Sequence, residues 1–169
     1  GYAVKSFIVP CHTWPPDAHM SAPSSISMLL SGIMSKTGVY GLIRLLFVVF
    51  GLTGNKAISY LIIIFGAITM VVGVSMALLQ NDLKRLLAFH SVSQLGYVIT
   101  GIGIGLISNK AAANMGLLGG LYHMLNHATF KSLLFVCAGA ILYKTGTTDL
   151  NKISGLSKKM PFTTIVFII

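Results

Sequence analysis

Four long apolar stretches, at 25–50, 57–80, 86–108 and 113–143, dominate this 169-residue chain. A helix crossing the roughly 30 Å hydrocarbon layer takes about 20 apolar residues, whereas a barrel strand takes only about 10. In lipid every backbone N–H and C=O needs an internal partner, so only helices and closed barrels cross, and these lengths select helices. Composition agrees: 54% of residues are hydrophobic and 9% charged, with a mean hydropathy of +0.84. Soluble domains carry about 25% charged residues. The expectation is an all-α fold, a polytopic transmembrane helix bundle.

A further helix is expected over 161–169, and 1–24 reads as part of a broken helix followed by a loop. The chain has no starting Met, and both Gly1 and Ile169 fall inside apolar phrases. It therefore reads as a single partial transmembrane domain, an internal piece of a longer protein.

The formal net charge of +9 would suggest nucleic acid in a soluble domain. Here the positive residues fall mainly between the apolar stretches, which is a topology signal. Connections alternate across the membrane. Lys84, Arg85, Lys144, Lys152, Lys158 and Lys159 share one side, and Lys56 and Lys110 the other. The excess puts the first side in the cytoplasm. Arg44, toward the outer end of its stretch, reads as an interfacial anchor.

The segment 12–23 (HTWPPDAHMSAP) has a different texture. Pro15, Pro16 and Pro23 interrupt a continuous helix, so it reads as a loop, with Ser24 or Ser25 placed to cap the next helix. His12, His19 and Asp17 lack a further metal-ligand pattern. Gly101, Gly103, Gly105, Gly116 and Gly120 are spaced for close helix contact. Cys11 and Cys137 form no CxxC or disulfide framework and read as small apolar residues.

Titratable residues inside the stretches carry the functional signal. A Lys within hydrocarbon costs roughly 2.5 to 3.5 kcal/mol on insertion scales, so it faces protein or water and usually has a task. His123, His127 and Lys131 stand at i, i+4 and i+8, on one face of a helix and about 12 Å apart in depth overall. Histidine both donates and accepts near neutral pH, so the set reads as a proton relay; a polar seam that only pairs helices is the alternative. Lys36 is too central in its stretch to snorkel, and should face a cavity or a carboxylate. Lys84 follows Asp82 at the start of a stretch that also carries His90, Ser91, Ser93 and Gln94, a polar run able to continue a wet path inward; a solvated loop is the alternative for Lys84.

Three phrases now combine: AVKSFIVPCHTWPPDAHMSAPSSISMLLSGIMSKTGVYGLIR, LLQNDLKRLLAFHSVSQLGYVITG, and GGLYHMLNHATFKSLLFVCAGAILY followed by DLNKISGLSKKMP. Together they resemble the antiporter-like, proton-translocating subunits shared by respiratory complex I, energy-converting membrane-bound nickel–iron hydrogenases and multisubunit cation/proton antiporters. The resemblance covers nearly the whole chain. It implies a bundle of two inverted repeats, of which this segment holds the first part of broken helix seven through the start of helix twelve. It makes Lys5 similar to the central lysine of helix seven, Lys36 to the bridging lysine or histidine of helix eight, and Lys84 to the lysine opening helix ten. His123, His127 and Lys131 match the polar set of helix eleven. Pro15 departs from the family phrase, which has Leu there. The helix-five glutamate would lie upstream of Gly1 and the helix-twelve lysine or glutamate beyond Ile169.

The resemblance implies a proton-translocating subunit of a redox-driven complex that performs no redox chemistry itself. Lys5, Lys36, Lys84, His123, His127 and Lys131 would carry protons. No cofactor is expected in this chain; iron–sulfur clusters, nickel–iron or flavin would belong to partner subunits, both membrane and peripheral. The location implied is the cytoplasmic (inner) membrane of a prokaryote, with the lipid bilayer and protons as partners and no nucleic acid. Two alternatives stand beside it: a secondary Na⁺/H⁺ antiporter subunit, and a structural membrane scaffold with a vestigial path.

Overall fold

The computed structural model describes residues 1–153 and 155–168, and within the described residues every regular element is helical. We number the helices α1 (Tyr2–Lys5), α2 (Trp14–Ser21), α3 (Ser24–Val49), α4 (Lys56–Leu78), α5 (Leu83–Gly105), α6 (Lys110–Thr145), α7 (Leu156–Lys159) and α8 (Pro161–Ile168). Helices α3 to α6 are each long and apolar enough to cross a membrane. Ile169, the last residue of the helix expected from position 161, lies outside the described residues.

Helix α5 is the centre of the bundle: 72% of its most apolar window is buried, against about a third of the windows in α3, α4 and α6. It packs along α4 on one side and α6 on the other. Helix α4 shows why. Its buried positions, Ser59, Ile62, Gly66, Thr69, Gly73 and Ala77, recur at intervals of three and four, while Ile64, Val71 and Leu78 point outward. The inward stripe is small and the outward one large, which suits a bundle whose outside is lipid and whose helices cohere by close backbone approach. A Cβ on Gly73 would sit 2.5 Å from the Ser93 backbone nitrogen. The α5–α6 crossing is as close, since a Cβ on Gly101 would lie 2.8 Å from the Gly116 oxygen and 2.9 Å from the Gly120 Cα.

Polar caps start the helices at both ends of the bundle. Asn55, Asp82 and Asn109 accept from free N–H groups at the starts of α4, α5 and α6. At one end Leu83 donates to the Thr148 carbonyl at 2.9 Å, Leu150 donates to the Asn81 carbonyl at 2.8 Å, and the Thr148 hydroxyl donates to the Asp82 carboxylate. At the other, the Gly54 N–H donates to the Leu106 carbonyl at 2.7 Å. The six basic residues counted on one side thus belong to connections tied at the first end, and Lys56 and Lys110 to those at the second.

Two sequence readings need correction. The segment 12–23 is not wholly a loop, because α2 occupies its middle. Pro15 and Pro16 fall in the first turn, where N–H groups have no helical acceptor and proline loses nothing. Helix α3 starts at Ser24 directly after Pro23, and no side chain caps it.

Helix α3 is also irregular. Leu30–Met34 and Arg44–Val49 are π-helical, with the Ser35 N–H reaching back five residues to the Leu30 carbonyl. Such wider turns are rare and gather at functional sites.

Replacing Gly73 by Ala forces α4 away from the backbone of α5. Unfolding titrations of the detergent-solubilised protein should show a loss of about 1–3 kcal/mol. Asp82→Ala, which removes a helix cap, should lose about 1 kcal/mol.

Candidate functional site: a buried lysine and histidine array

The charged residues inside the spans converge where α3, α5 and α6 meet under α2. Lys36 is 8% exposed, Lys84 5% and Lys131 fully buried. Each ammonium group donates to a backbone carbonyl: Lys36 to Ser31 five residues earlier on α3, Lys84 to Ala22 at 2.9 Å, and Lys131 to Leu87 on α5 at 3.0 Å. The Ala22 carbonyl lies just past the end of α2, where it has no helical donor. Among the described residues the one ion pair is Lys152 with Asp149 near the surface, so no carboxylate meets the buried lysines there.

The histidines lie among these lysines. His127 is fully buried, and both its ring nitrogens lack a protein partner. Its ring lies 6.4 Å from His123 and within electrostatic reach of Lys36, Lys131, His123 and His90. His123 is in turn 5.7 Å from the Tyr97 ring. The i, i+4, i+8 spacing therefore does place His123, His127 and Lys131 along one face of α6. Lys36 also borders an open groove of about 300 Å³ on the outer face of the bundle, shared with Gly32, Thr37, Tyr40, Met124 and Ala128.

Lys5 stands apart from this cluster. It ends α1 with its side chain exposed, while its backbone packs on α3 so closely that a Cβ on Gly38 would sit 2.9 Å from the Lys5 carbonyl carbon. Arg44 is exposed on α3, its guanidinium 6.0 Å from the Tyr40 ring centroid.

His19 is the residue that sequence reasoning passed over. Assigned to loop polarity, it is fully buried, with its ring stacked on Phe135 at 4.6 Å and both nitrogens free of protein partners. Burial, then the nearby charges of Lys131 and Lys84, hold its imidazole below the usual histidine range. The charges of both Lys84 and Lys131 therefore reach it. Its signal was position: it sits in the last turn of a helix whose existence the prolines concealed. Ser27, Ser31 and Ser35, at four-residue spacing and all fully buried, are a second missed feature.

A carboxylate-poor bundle of small-residue helices enclosing lysines and histidines defines a polytopic membrane protein with a polar interior. The chain belongs to the family described as NADH:quinone oxidoreductase/Mrp antiporter, TM, which matches residues 1–169. It is 39% identical over 168 residues to hydrogenase-4 component B of Escherichia coli strain K12, a match spanning 96% of this chain and 25% of that protein. It is 39% identical over 177 residues to a Na(+)/H(+) antiporter subunit of Alkalihalophilus pseudofirmus, spanning 100% of this chain and 22% of the relative. The fold superposes on the Mrp complex from Dietzia sp. DQ12-45-1b with a TM-score of 0.88 at 29% identity, covering 99% of this chain and 30% of that one. The chain thus spans about a quarter of the length of these relatives.

Lys84→Met leaves the partly buried Ala22 carbonyl without its donor, a loss of about 1 kcal/mol. Hydrogen exchange should then accelerate over 14–23 while the protection of α4 stays unchanged.

Proposed function

We propose that this chain is part of a proton-translocating, antiporter-like membrane subunit of a redox-driven complex, of membrane-bound hydrogenase or complex I type. The observation that carries the reading is the set of buried lysines held by carbonyls, with unpartnered histidines between them. An ammonium group fixed by a carboxylate is a structural tie. One held by a neutral carbonyl exchanges its proton when a nearby charge changes, because little Coulombic energy opposes the exchange.

In this reading protons enter at Lys84 on the basic end, pass His19 to Lys131, cross to Lys36, and leave along His127 and His123. Lys5, which ends α1 beside α3, hands protons between Lys36 and residues of the longer protein. The basic end faces the cytoplasm of a prokaryotic cell, in keeping with the charge asymmetry. Iron–sulfur, nickel–iron or flavin groups belong to partner subunits, and electron transfer there drives transport by changing the charge near the lysine array.

The similarity to a Na(+)/H(+) antiporter subunit supports a second reading, exchange of H⁺ for Na⁺ without redox partners.

Proteoliposomes containing the whole parent complex separate these readings. Lys36→Ala and Lys131→Ala at matched assembly should each abolish proton transport, and transport should follow the electron donor. A rate that follows the Na⁺ gradient instead selects exchange. Native rates in both variants would make the segment a scaffold and end the proposal.

A further inference from the structure

We propose that the hydroxyl pair Ser31–Ser91 is the proton-conducting bridge between Lys131 and Lys36. The proposal deepens the proton-translocation reading above and rests on it.

The two hydroxyl oxygens lie 3.1 Å apart across the α3–α5 interface, and both residues are fully buried. A lysine flanks the pair on each side. On α5, the Ser91 hydroxyl and the Lys131 ammonium group converge on one acceptor, the Leu87 carbonyl, at 2.9 and 3.0 Å. On α3, Lys36 donates to the carbonyl of Ser31 itself. Three helices are thereby joined in one hydrogen-bonded line with a lysine at each end.

A carbonyl only accepts, so it anchors a lysine and relays nothing. A hydroxyl donates and accepts, and is the element of this line through which a proton can pass. The step balances. At rest Ser91 donates to Leu87 and Ser31 to Ser91, so both hydroxyls first turn, Ser91 toward Ser31 and Ser31 toward Lys36. The Lys131 ammonium then gives a proton to the Ser91 oxygen as the Ser91 hydroxyl proton moves to the Ser31 oxygen and the Ser31 proton moves to the neutral Lys36 amine. Lys131 ends neutral and Lys36 positive, and each serine keeps one hydrogen. Rotation of both hydroxyls resets the line. The lysine tips have little distance to travel, because each is bonded to a carbonyl on the same residue or the same turn as the hydroxyl it must reach.

Bonding within its own helix does not account for Ser31. A helical hydroxyl satisfies itself by donating to the carbonyl four residues back. Ser35, Thr69, Ser91, Thr100 and Ser132 all do so. Ser31 instead directs its hydroxyl across to another helix, from within the π-helical turn Leu30–Met34.

The test uses the parent complex in proteoliposomes at matched assembly, with Lys36→Ala as reference. Ser31→Ala and Ser91→Ala should each slow proton transport by roughly a hundredfold, the low end of what a positioned proton-transfer group contributes. Ser31→Cys and Ser91→Cys, close in volume but weak in hydrogen bonding, should be slow as well. Ser91→Thr, which keeps the hydroxyl, should recover most of the rate. Native rates in the Ala and Cys variants beside a silent Lys36→Ala would overturn the bridge and leave the translocation reading standing. Ser91→Thr as slow as Ser91→Ala would reduce the pair to packing and overturn it too. A native rate in Lys36→Ala removes the translocation reading, and the bridge with it.

Discussion

Buried ammonium groups that meet no carboxylate among the described residues are the constraint on which the rest of this structure depends. Lys36, Lys84 and Lys131 each need an acceptor inside the bundle, and each finds one in the backbone. Regular helix consumes its carbonyls, so acceptors come from places where the geometry is stretched or shared. Ala22 follows the end of α2, Ser31 sits in a π-helical turn, and Leu87 accepts from a serine hydroxyl and a lysine together. The irregularities of α2 and α3 are thus the means by which the charges are held, rather than defects in spanning helices.

The same constraint explains the distribution of small residues. Reaching Leu87 from α6 and Ser91 from α3 demands helices close enough for side chains to meet a neighbour's backbone. Gly32 faces Ser132, Gly73 faces Ser93 and Gly101 faces Gly120, each at a separation that a methyl group would violate. On α4 the large apolar side chains face outward, where Tyr60, Ile64, Val71 and Leu78 form a surface suited to lipid. Serine, histidine and lysine are buried beside an apolar core that includes Leu95, Ile102 and Phe135.

Much of this was legible in the residues. The lengths of the four apolar stretches predict the all-helical bundle, because backbone satisfaction in lipid leaves few alternatives. The spacing of His123, His127 and Lys131 predicts a shared face, because it is set by helical pitch alone. What stayed hidden depended on contacts between distant segments. Helix α2 was masked by Pro15 and Pro16, which end a helix in most positions and are harmless in its first turn. His19 looked like loop polarity because nothing local shows that Phe135, more than a hundred positions away, covers its ring. Ser31 and Ser91, sixty residues apart, form a pair only once α3 and α5 are packed.

The absence of a carboxylate partner among the described residues also bears on energetics. Moving one charge against 100 mV takes about 2.3 kcal/mol. A carboxylate 4 Å from an ammonium group, at an effective dielectric constant of 20, attracts it by about 4 kcal/mol and would trap a proton against such a force. A hydrogen bond from a charged group to a neutral acceptor contributes about 1.5–3 kcal/mol net. The carbonyl contacts of Lys36, Lys84 and Lys131 therefore bind on the same scale as the driving force itself. On the translocation reading proposed above, an array held this way is strong enough to fix where each lysine rests, and weak enough for a single approaching or departing charge to change which lysine carries the proton.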